Sequence, residues 1–530
     1  MSQSTLTGLG PLLRLALRRD RITLPIWIVV LALLGTATYG SYDAVFPSAA
    51  DREALMSSLA TSPALKVLYG PAFDLSNAGG FVAWRIGGFM ALLTGVMAML
   101  TVVRHTRAEE DSGRAELVRA GVVGRHGLLA AAVCVAIGAS VVAGILQALA
   151  LISAGAPAAG SLALGASCAA CGAVFAAVAA VTAQLGSFSR TANGISFAVL
   201  GVAFMLRAVG DTSTGAAWVS WLSPLAWAQE VRAFVENRWW VLLLSLITAG
   251  VLLFVAVALA DRRDIGMGLL VPRDGSPTAH RSLGSPLALA WRLQRGSLVG
   301  WLVAFVLMGL ILGSLTGSLS GLLSGNKVAT DIFTRLGGSH ALEQAFIAAM
   351  LGVLGLGAAA YGVQAVLRAR TEETEGRAEA VLAAAVSRWS WLGGHLLCAV
   401  VGSGVLVLVG AAAVGATAAL TGSVAFSQTF ASSLVQLPAV WVVTGVSALL
   451  VGLLPRLSVL SWVVAGIVLV ISLWGPILNL PDSVLDISPF QHVPHLPGGT
   501  LTAIPLVVLS ILAVALFGAS AVGIRRRDIG

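Results

Sequence analysis

Apolar stretches of about 20 residues recur twelve times along this chain and leave few ways to fold it. Charged residues make up only 11% of the sequence, against about 25% in soluble domains. Lipid cannot hydrogen-bond an exposed backbone, so stretches of this kind cross a membrane as α-helices. The predicted fold is an all-α polytopic membrane protein of about twelve transmembrane helices. The stretches lie near 24–43, 83–103, 127–154, 159–187, 193–209, 240–260, 297–319, 341–366, 392–420, 430–454, 457–477 and 502–522.

One charged motif occurs twice in this otherwise apolar chain. The pattern R-x-E-E-x-x-G-R-A-E begins residues 107–125 and returns 263 positions later in residues 370–388, and 11 of the 19 positions are identical. A second motif, R-R-D-I-G, occupies residues 262–266 and 526–530. A shared lipid environment would reproduce alanine and valine, but not glutamates and arginines in register. The chain is therefore interpreted as an internal duplication.

The duplication predicts two membrane halves of six helices each. The first half, 1–266, contains a charged loop at 104–126, and the second half, 297–530, contains the matching charged loop at 367–391. Residues 267–296 are predicted to form a cytoplasmic connector. Because an even number of crossings returns each half to its starting side, the repeats are parallel and are related by an axis along the membrane normal. The predicted architecture is a pseudo-dimer.

Arginines set the predicted orientation. A cytoplasmic N-terminus places 24 of the 32 basic residues inside and six outside, as the positive-inside rule requires. The remaining two, Arg85 and Arg207, lie near outer helix ends, where a long side chain can snorkel. Amphipathic stretches, Gly10–Arg21 and Ser285–Arg295, precede the first helix of each half and are expected to be interfacial helices on the inner leaflet. Both termini are predicted to be cytoplasmic.

The sequence offers no energy source for transport within the chain itself. Its only lysines, Lys66 and Lys327, do not belong to a phosphate-binding G-x-x-x-x-G-K-[ST] loop. Ion coupling usually leaves ionisable groups near the bilayer midplane, but Glu343 and His395 lie at span edges, where they are expected to be in water. The driving energy is therefore predicted to come from another protein.

Other chemistry is also missing from the sequence. The arginines are spread between apolar stretches, which argues against nucleic-acid binding. A nucleophile triad and a metal-ligand cluster are both absent, so no catalytic and no metal site is predicted. The Cys168-x-x-Cys171 spacing is interpreted as packing rather than as a redox or metal site. All the cysteines lie inside apolar segments, namely Cys134, Cys168, Cys171 and Cys398.

The charged loops are candidate docking surfaces for a soluble partner. Glycine costs about 1 kcal/mol inside a helix, so Gly113 and Gly376 are predicted to mark a bend between a membrane helix and a short cytoplasmic one. The alternative is that the loops are only solvated positive-inside segments, which explains the arginines but not the duplicated glutamates. The candidate docking residues are Glu109, Glu110, Gly113, Arg114, Glu116, Glu372, Glu373, Gly376, Arg377 and Glu379.

At these residues the chain resembles the membrane subunits of ABC exporters of the ABC-2 type, whose loop between the second and third helices carries an acidic, glycine-containing coupling segment. More narrowly, a fused twelve-helix permease looks like the tetronasin-type actinobacterial exporters of polyketide antibiotics, which are also linked to multidrug efflux. Most such permeases have six helices and dimerise, so fusion implies one copy of this chain with two copies of a separate ABC ATPase.

The resemblance also implies the remaining functional expectations. The chain would not be an enzyme and would hold no cofactor, because ATP and Mg²⁺ would bind the ATPase. It would export hydrophobic or amphipathic small molecules, such as antibiotics or drugs, across the bacterial cytoplasmic (inner) membrane and would contact lipid but no nucleic acid. The substrate path would run between the halves, along the second and fifth helices. In the first half this path would include Phe89, Met90, Met97, Phe197, Phe204 and Met205.

Two other functions remain open at this point. An ion-coupled secondary multidrug transporter of the major-facilitator kind also has twelve helices in two parallel halves. The chain lacks that family's G-x-x-x-D-R-x-G-R loop and has an outer segment of roughly 40 residues after its first helix, well beyond the usual loop length. A non-transporting membrane assembly scaffold is the third possibility.

Overall fold

A computed structural model shows an all-helical chain throughout its described residues. The description covers residues 5–46, 52–53, 63–212, 215–264, 266–270, 278, 283–324, 339–420, 422, 424–474 and 481–527. In these ranges 11 helices are long and apolar enough to cross a membrane, and an additional apolar helix, Leu460–Leu473, is shorter. This shorter helix corresponds to the span predicted at 457–477. The predicted polytopic all-α membrane fold is confirmed.

The chain divides into two compact units, Met1–Gly275 and Ser276–Gly530. The helices of the first unit are α1 (Leu9–Arg19), α2 (Thr23–Gly40), α3 (Tyr42–Val45), α4 (Pro63–Tyr69), α5 (Ala78–Val82), α6 (Gly88–His105), α7 (Arg107–Asp111), α8 (Arg114–Arg119), α9 (Gly127–Ser153), α10 (Ala158–Leu185), α11 (Ser189–Thr212), α12 (Pro224–Glu230) and α13 (Val241–Ala260). A π-helical turn, Ala83–Gly87, joins α5 to α6, and a 3₁₀ helix, Ala217–Leu222, precedes α12.

The helices of the second unit are α14 (Pro286–Ser324), α15 (Ser339–Thr374), α16 (Arg377–Leu382), α17 (Arg388–Leu420), α18 (Phe426–Ser433), α19 (Leu437–Leu453), α20 (Leu460–Trp474), α21 (Asp482–Leu485) and α22 (Ala503–Arg526). Short 3₁₀ turns at Leu434–Gln436, Pro455–Leu457 and Pro489–His492 lie between them. The 3₁₀ turn Leu434–Gln436 makes α18 and α19 one nearly continuous rod, Phe426–Leu453.

Helix α10 forms the centre of the first unit. It packs against α6, α9, α11 and α13, and small residues along it let these neighbours approach closely. The closest approach joins Gly144 of α9 to Gly165 of α10, because a Cβ on Gly144 would lie only 2.3 Å from the carbonyl oxygen of Gly165. In the second unit α15, α17 and α19 form the corresponding core, with α14 packed on α17 and α22 on α19.

The two amphipathic stretches fold differently. In the first unit α1 ends at Arg19 and α2 begins at Thr23, whereas in the second unit the stretch Ser285–Arg295 continues without a break into the 39-residue helix α14. The difference has a local cause. Pro25 lacks the backbone N–H that would continue the helical hydrogen bonds through the junction, and no proline follows Arg295 in the corresponding turn.

Candidate functional site: the two charged loops

Each charged loop bends at the predicted glycine. Gly113 has a φ of 72° immediately before α8, and Gly376 has a φ of 71° immediately before α16. Both values lie in the left-handed region, where glycine has no Cβ to clash. A Cβ at either glycine would meet nothing within 4 Å, so backbone conformation rather than space requires glycine here. The bends predicted from the sequence are confirmed.

The arginine after each bend folds back onto the first glutamate of the motif. Arg114 Nε lies 3.1 Å from Glu109 Oε2. Arg377 donates two hydrogen bonds to Glu372, at 2.7 and 2.9 Å. The hydrogen bond to Glu372 raises the pKa of Arg377 above its usual range. These pairs close each bend, because they join the residues on either side of the glycine.

The second glutamate of each motif binds the second arginine of the R-R-D-I-G motif. Arg263 contacts both carboxylate oxygens of Glu110 at 2.7 and 2.9 Å, and Arg527 contacts both oxygens of Glu373 at 2.6 and 2.8 Å. The first arginine of each charged motif adds a local pair, Arg107–Glu110 at 2.6 Å and Arg370–Glu373 at 3.0 Å. Both repeated motifs are visible in the sequence, but the contact between them is not. The only sequence signal for this contact is that the two motifs are repeated together.

The first two glutamates of each motif are buried beside their arginine partners. The side chains of Glu109, Glu110, Glu372 and Glu373 are 10%, 5%, 6% and 3% exposed. The surface of the loops is formed instead by α8 and α16, where Arg114, Glu116, Arg377 and Glu379 are exposed. Ala115 and Ala378, each 1% exposed, turn these short helices toward the protein.

The loop geometry is thus present once in each unit. The family model described as "Multidrug efflux system permease Rv1217c, C-terminal domain" matches residues 9–260 and 283–525. The multidrug efflux system permease protein Rv1217c of Mycobacterium tuberculosis (strain ATCC 25618 / H37Rv) is 44% identical over 530 residues, which cover 99% of this chain and 96% of the relative. The chain belongs to the Rv1217c family of multidrug efflux permeases.

The two halves of this permease anchor their first glutamates differently. In the first half Arg19, at the end of α1, lies 2.5 Å from Glu109. The pattern L-A-x-R-x-x-R at residues 15–21 recurs at 289–295 and aligns Arg19 with the uncharged Leu293. In the second half the corresponding cation comes from Arg368, one turn before Glu372 and 2.8 Å from it.

Asp20, the residue after Arg19, aligns with Gln294 of the second half, and both contact a histidine. Asp20 is 2% exposed and binds His105 at 2.5 Å and Arg104 at 2.7 Å. The aligned residue in the permease's second half, Gln294, donates to His395 Nδ1 at 2.9 Å. A carboxylate contact with histidine in the first half is therefore an amide contact with histidine in the second.

Three ionisable side chains of the permease are buried, contrary to the prediction from their sequence positions. Glu343 and His395, predicted to be in water, are 6% and 2% exposed, and Arg207, predicted to snorkel outward, is 3% exposed. Arg207 instead donates to the carbonyl oxygen of Val67 and lies 3.9 Å from Asp211. Each is covered by neighbouring protein, which a position near a span end does not reveal.

The residues predicted for the substrate path do not share one surface. Met90 and Met97 are 0% and 1% exposed within the core of the first unit, and Phe197 is 42% exposed. Phe89 and Phe204 line a cavity of about 10 Å³ beside Arg207, which is about the space of one water molecule. Met205 is half-buried on α11.

Proposed function

We propose that this multidrug efflux permease is the membrane subunit of an ATP-driven ABC exporter, in which two copies of a separate ATPase dock on α8 and α16. One observation carries the proposal: each half presents a short, exposed helix after a left-handed glycine, and each helix places an exposed glutamate, Glu116 or Glu379, in its first turn. Beside the first of these glutamates, Leu117 is 78% exposed. A short helix with an exposed glutamate and an uncovered leucine suits a groove on a soluble partner that offers a cation beside an apolar surface.

The ion pairs behind α8 and α16 provide a route for mechanical coupling. Pressure on either helix passes through Arg114 or Arg377 to a buried glutamate in the last turns of a membrane helix. Ala115 and Ala378 hold the inner faces of the short helices against the protein. ATP and Mg²⁺ would bind the partner, and this chain would contribute no catalytic residue.

We also propose the cargo and the location. The relative's name describes multidrug efflux, and we infer hydrophobic or amphipathic small molecules for this chain, carried outward across the bacterial inner membrane with both termini in the cytoplasm. The distribution of arginines supports this orientation. The six predicted path residues stay part of the proposal, although Met90 and Met97 would need to leave the packed core to contact a substrate.

The docking test uses exposed residues. Replacing both Glu116 and Glu379 by arginine should abolish co-purification of an ATPase and drug efflux, while the double variant folds normally because neither side chain is buried. A matched control reverses two exposed carboxylates elsewhere, Asp43 and Asp482, and should retain both activities. Normal ATPase binding by E116R/E379R would refute docking at these helices.

An ion-coupled transporter is the second candidate, because His395 and the Arg207–Asp211 pair are buried within candidate membrane spans. Buried ionisable groups in such spans are often parts of ion pathways. Proteoliposomes that hold ATP and the co-purified partner would separate the two. Efflux that continues after an uncoupler collapses the proton gradient supports ATP drive, and efflux that stops supports ion coupling. Absence of transport under both conditions would favour the scaffold function.

A further inference from the structure

The two repeated motifs of the sequence meet in the structure, and they do so in both halves. Arg263 and Glu110 lie 153 positions apart in the chain, and Arg527 and Glu373 lie 154 apart. Each pair is bidentate, with two N–H groups of one guanidinium directed at the two oxygens of one carboxylate. Bidentate pairing fixes orientation as well as distance. We call these pairs the terminal latches.

Each terminal latch also contacts a third element. In the first half Arg263 Nε donates to Gln184 Oε1 at 2.6 Å, near the end of α10. Both Arg263 and Arg107 donate to the carbonyl oxygen of Met267, at 3.1 Å each, in the segment after α13. The charged loop, the end of α10 and the tail of the last helix are therefore held together by charged hydrogen bonds.

The second half reaches the same arrangement by different contacts. The carbonyl oxygen of Arg527 accepts a hydrogen bond from Arg388, the first residue of α17. The charged loop is thereby joined to the start of one membrane helix and to the end of α22. The partners differ between the halves, but the Arg–Glu pair at the centre is the same, which identifies the latch rather than its surroundings as the repeated feature.

Burial distinguishes the terminal latches from ordinary surface ion pairs. The side chains of Arg263 and Glu110 are 8% and 5% exposed, and those of Arg527 and Glu373 are 13% and 3% exposed. A buried pair adds little net stability compared with apolar residues of the same size, so its geometry is the better guide to its role. Here that geometry connects a charged loop to the end of the last membrane helix in its own half.

We propose that Arg263 and Arg527 are positioning residues that fix each charged loop to the end of the last membrane helix of its half, α13 or α22, so that movement of the loop moves that helix. The part concerning force from an ATPase rests on the proposed function. The positioning itself does not, because it concerns only contacts within this chain.

The first experiment measures position without any partner. Spin labels on α8 and α13, at E116C and V257C, report the distance between the loop and the last helix, with Cys134, the exposed member of the free cysteines, replaced by alanine. R263E should broaden or shift the distance distribution, and adding E110R should restore it. The matched labels for the second half are E379C and V522C, with R527E and E373R. Unchanged distributions in R263E and R527E would overturn the proposal.

A control with the same charge change one position away is available in each half. Arg262 and Arg526 precede the latch arginines and are exposed. R262E and R526E should leave the distance distributions unchanged. If they broaden the distributions as much as R263E and R527E do, the effect is one of local net charge and the latch proposal is wrong.

The second experiment measures coupling in the complete complex. In proteoliposomes with the co-purified ATPase, R263E/R527E should still bind the partner and hydrolyse ATP, but drug transported per ATP should fall by about five-fold or more. R263K/R527K, which keeps the charge but loses the bidentate fork, should fall less. An unchanged ratio, or ATP hydrolysis that falls in step with transport, would overturn transmission through the latch. If the unsubstituted permease binds no ATPase, the proposed function fails while the distance measurements still decide the latch.

Discussion

Arg19 and Glu109 form an ion pair although 90 residues separate them, and the pair joins the amphipathic helix α1 to the first charged loop. Leu293 occupies the aligned position in the second half, where Glu372 is held by Arg368 of its own helix. Both copies of the motif therefore have a buried glutamate, but the source of its cation differs. The aligned leucine cannot form this ion pair, so the two halves hold their charged loops differently.

Replacing Arg19 by leucine, the residue of the second half, should lower the free energy of unfolding by less than about 1 kcal/mol, because the Arg19 side chain is 32% exposed and ion pairs of exposed side chains contribute little. Arg114 continues to pair with Glu109 in this variant. Removing both cations in R19L/R114A should cost more than the sum of the single changes, since Glu109 then stays buried without a counter-charge. A double-mutant cycle of R19L and R114A, measured by denaturant unfolding in detergent, gives the coupling free energy. If the effects of the two single changes simply add, the prediction is wrong.

Asp20 should make stability depend on pH in the acid range. Burial by itself would raise the pKa of Asp20, but the hydrogen bond with His105 and the charges of His105, Arg104 and Arg19 hold that pKa below its ordinary value of 3.8. A carboxyl whose pKa is lower in the folded state stabilises the fold above its unfolded pKa, and this stabilisation is lost as pH falls through the folded value.

The difference in unfolding free energy between the unsubstituted protein and D20N should therefore be constant from neutral pH down to about pH 4 and shrink below it. Unfolding curves in detergent at a series of pH values provide the measurement. D43N, which changes an exposed carboxyl, is the control and should show no such shrinkage. A difference that grows on acidification would mean that Asp20 is protonated in the folded protein.

The membrane helices could be predicted from the sequence because lipid permits few alternatives to a helix. The bends at Gly113 and Gly376 were also predictable, since glycine inside a charged helical pattern has a local conformational meaning. The break between α1 and α2 had a readable signal in Pro25. The continuity of α14 could have been predicted from the missing proline.

The contacts of the charged groups were not predictable in the same way. A glutamate in a charged loop is ordinarily assigned to solvent, because charges are seldom buried unless they are paired. The partners that permit burial of Glu110 and Glu373 lie at the far ends of the two halves, and neither helical periodicity nor hydropathy reports contacts over such separations. The same limit applies to His395, which is 2% exposed and accepts a hydrogen bond from Gln294 of α14, 101 positions away.

Two glycines of α9 should respond in opposite ways to alanine. Gly144 faces the carbonyl oxygen of Gly165 so closely that a Cβ would lie 2.3 Å from it, whereas a Cβ on Gly138 would meet nothing within 4 Å. G144A should destabilise the protein by about 1–3 kcal/mol, as overpacked helix contacts do. G138A should be neutral or stabilise it by up to about 1 kcal/mol, because alanine is the better helix former. Equal effects in thermal unfolding would show that α9 and α10 separate enough to admit a methyl group.

Replacing Arg207 alone should destabilise the protein more than replacing both Arg207 and Asp211. The two side chains are 3% and 8% exposed, so R207M leaves Asp211 as a buried carboxylate without its cation and should destabilise the protein by about 3–5 kcal/mol. R207M/D211L removes both charges and should recover much of that loss, since apolar residues of similar size replace buried pairs well. Part of the loss should persist in the double variant, because Arg207 also holds the carbonyl oxygen of Val67. The measurement is unfolding of the unsubstituted protein, R207M and R207M/D211L in detergent. If the double variant is no more stable than R207M, Arg207 acts through its contact with Val67 rather than through its charge.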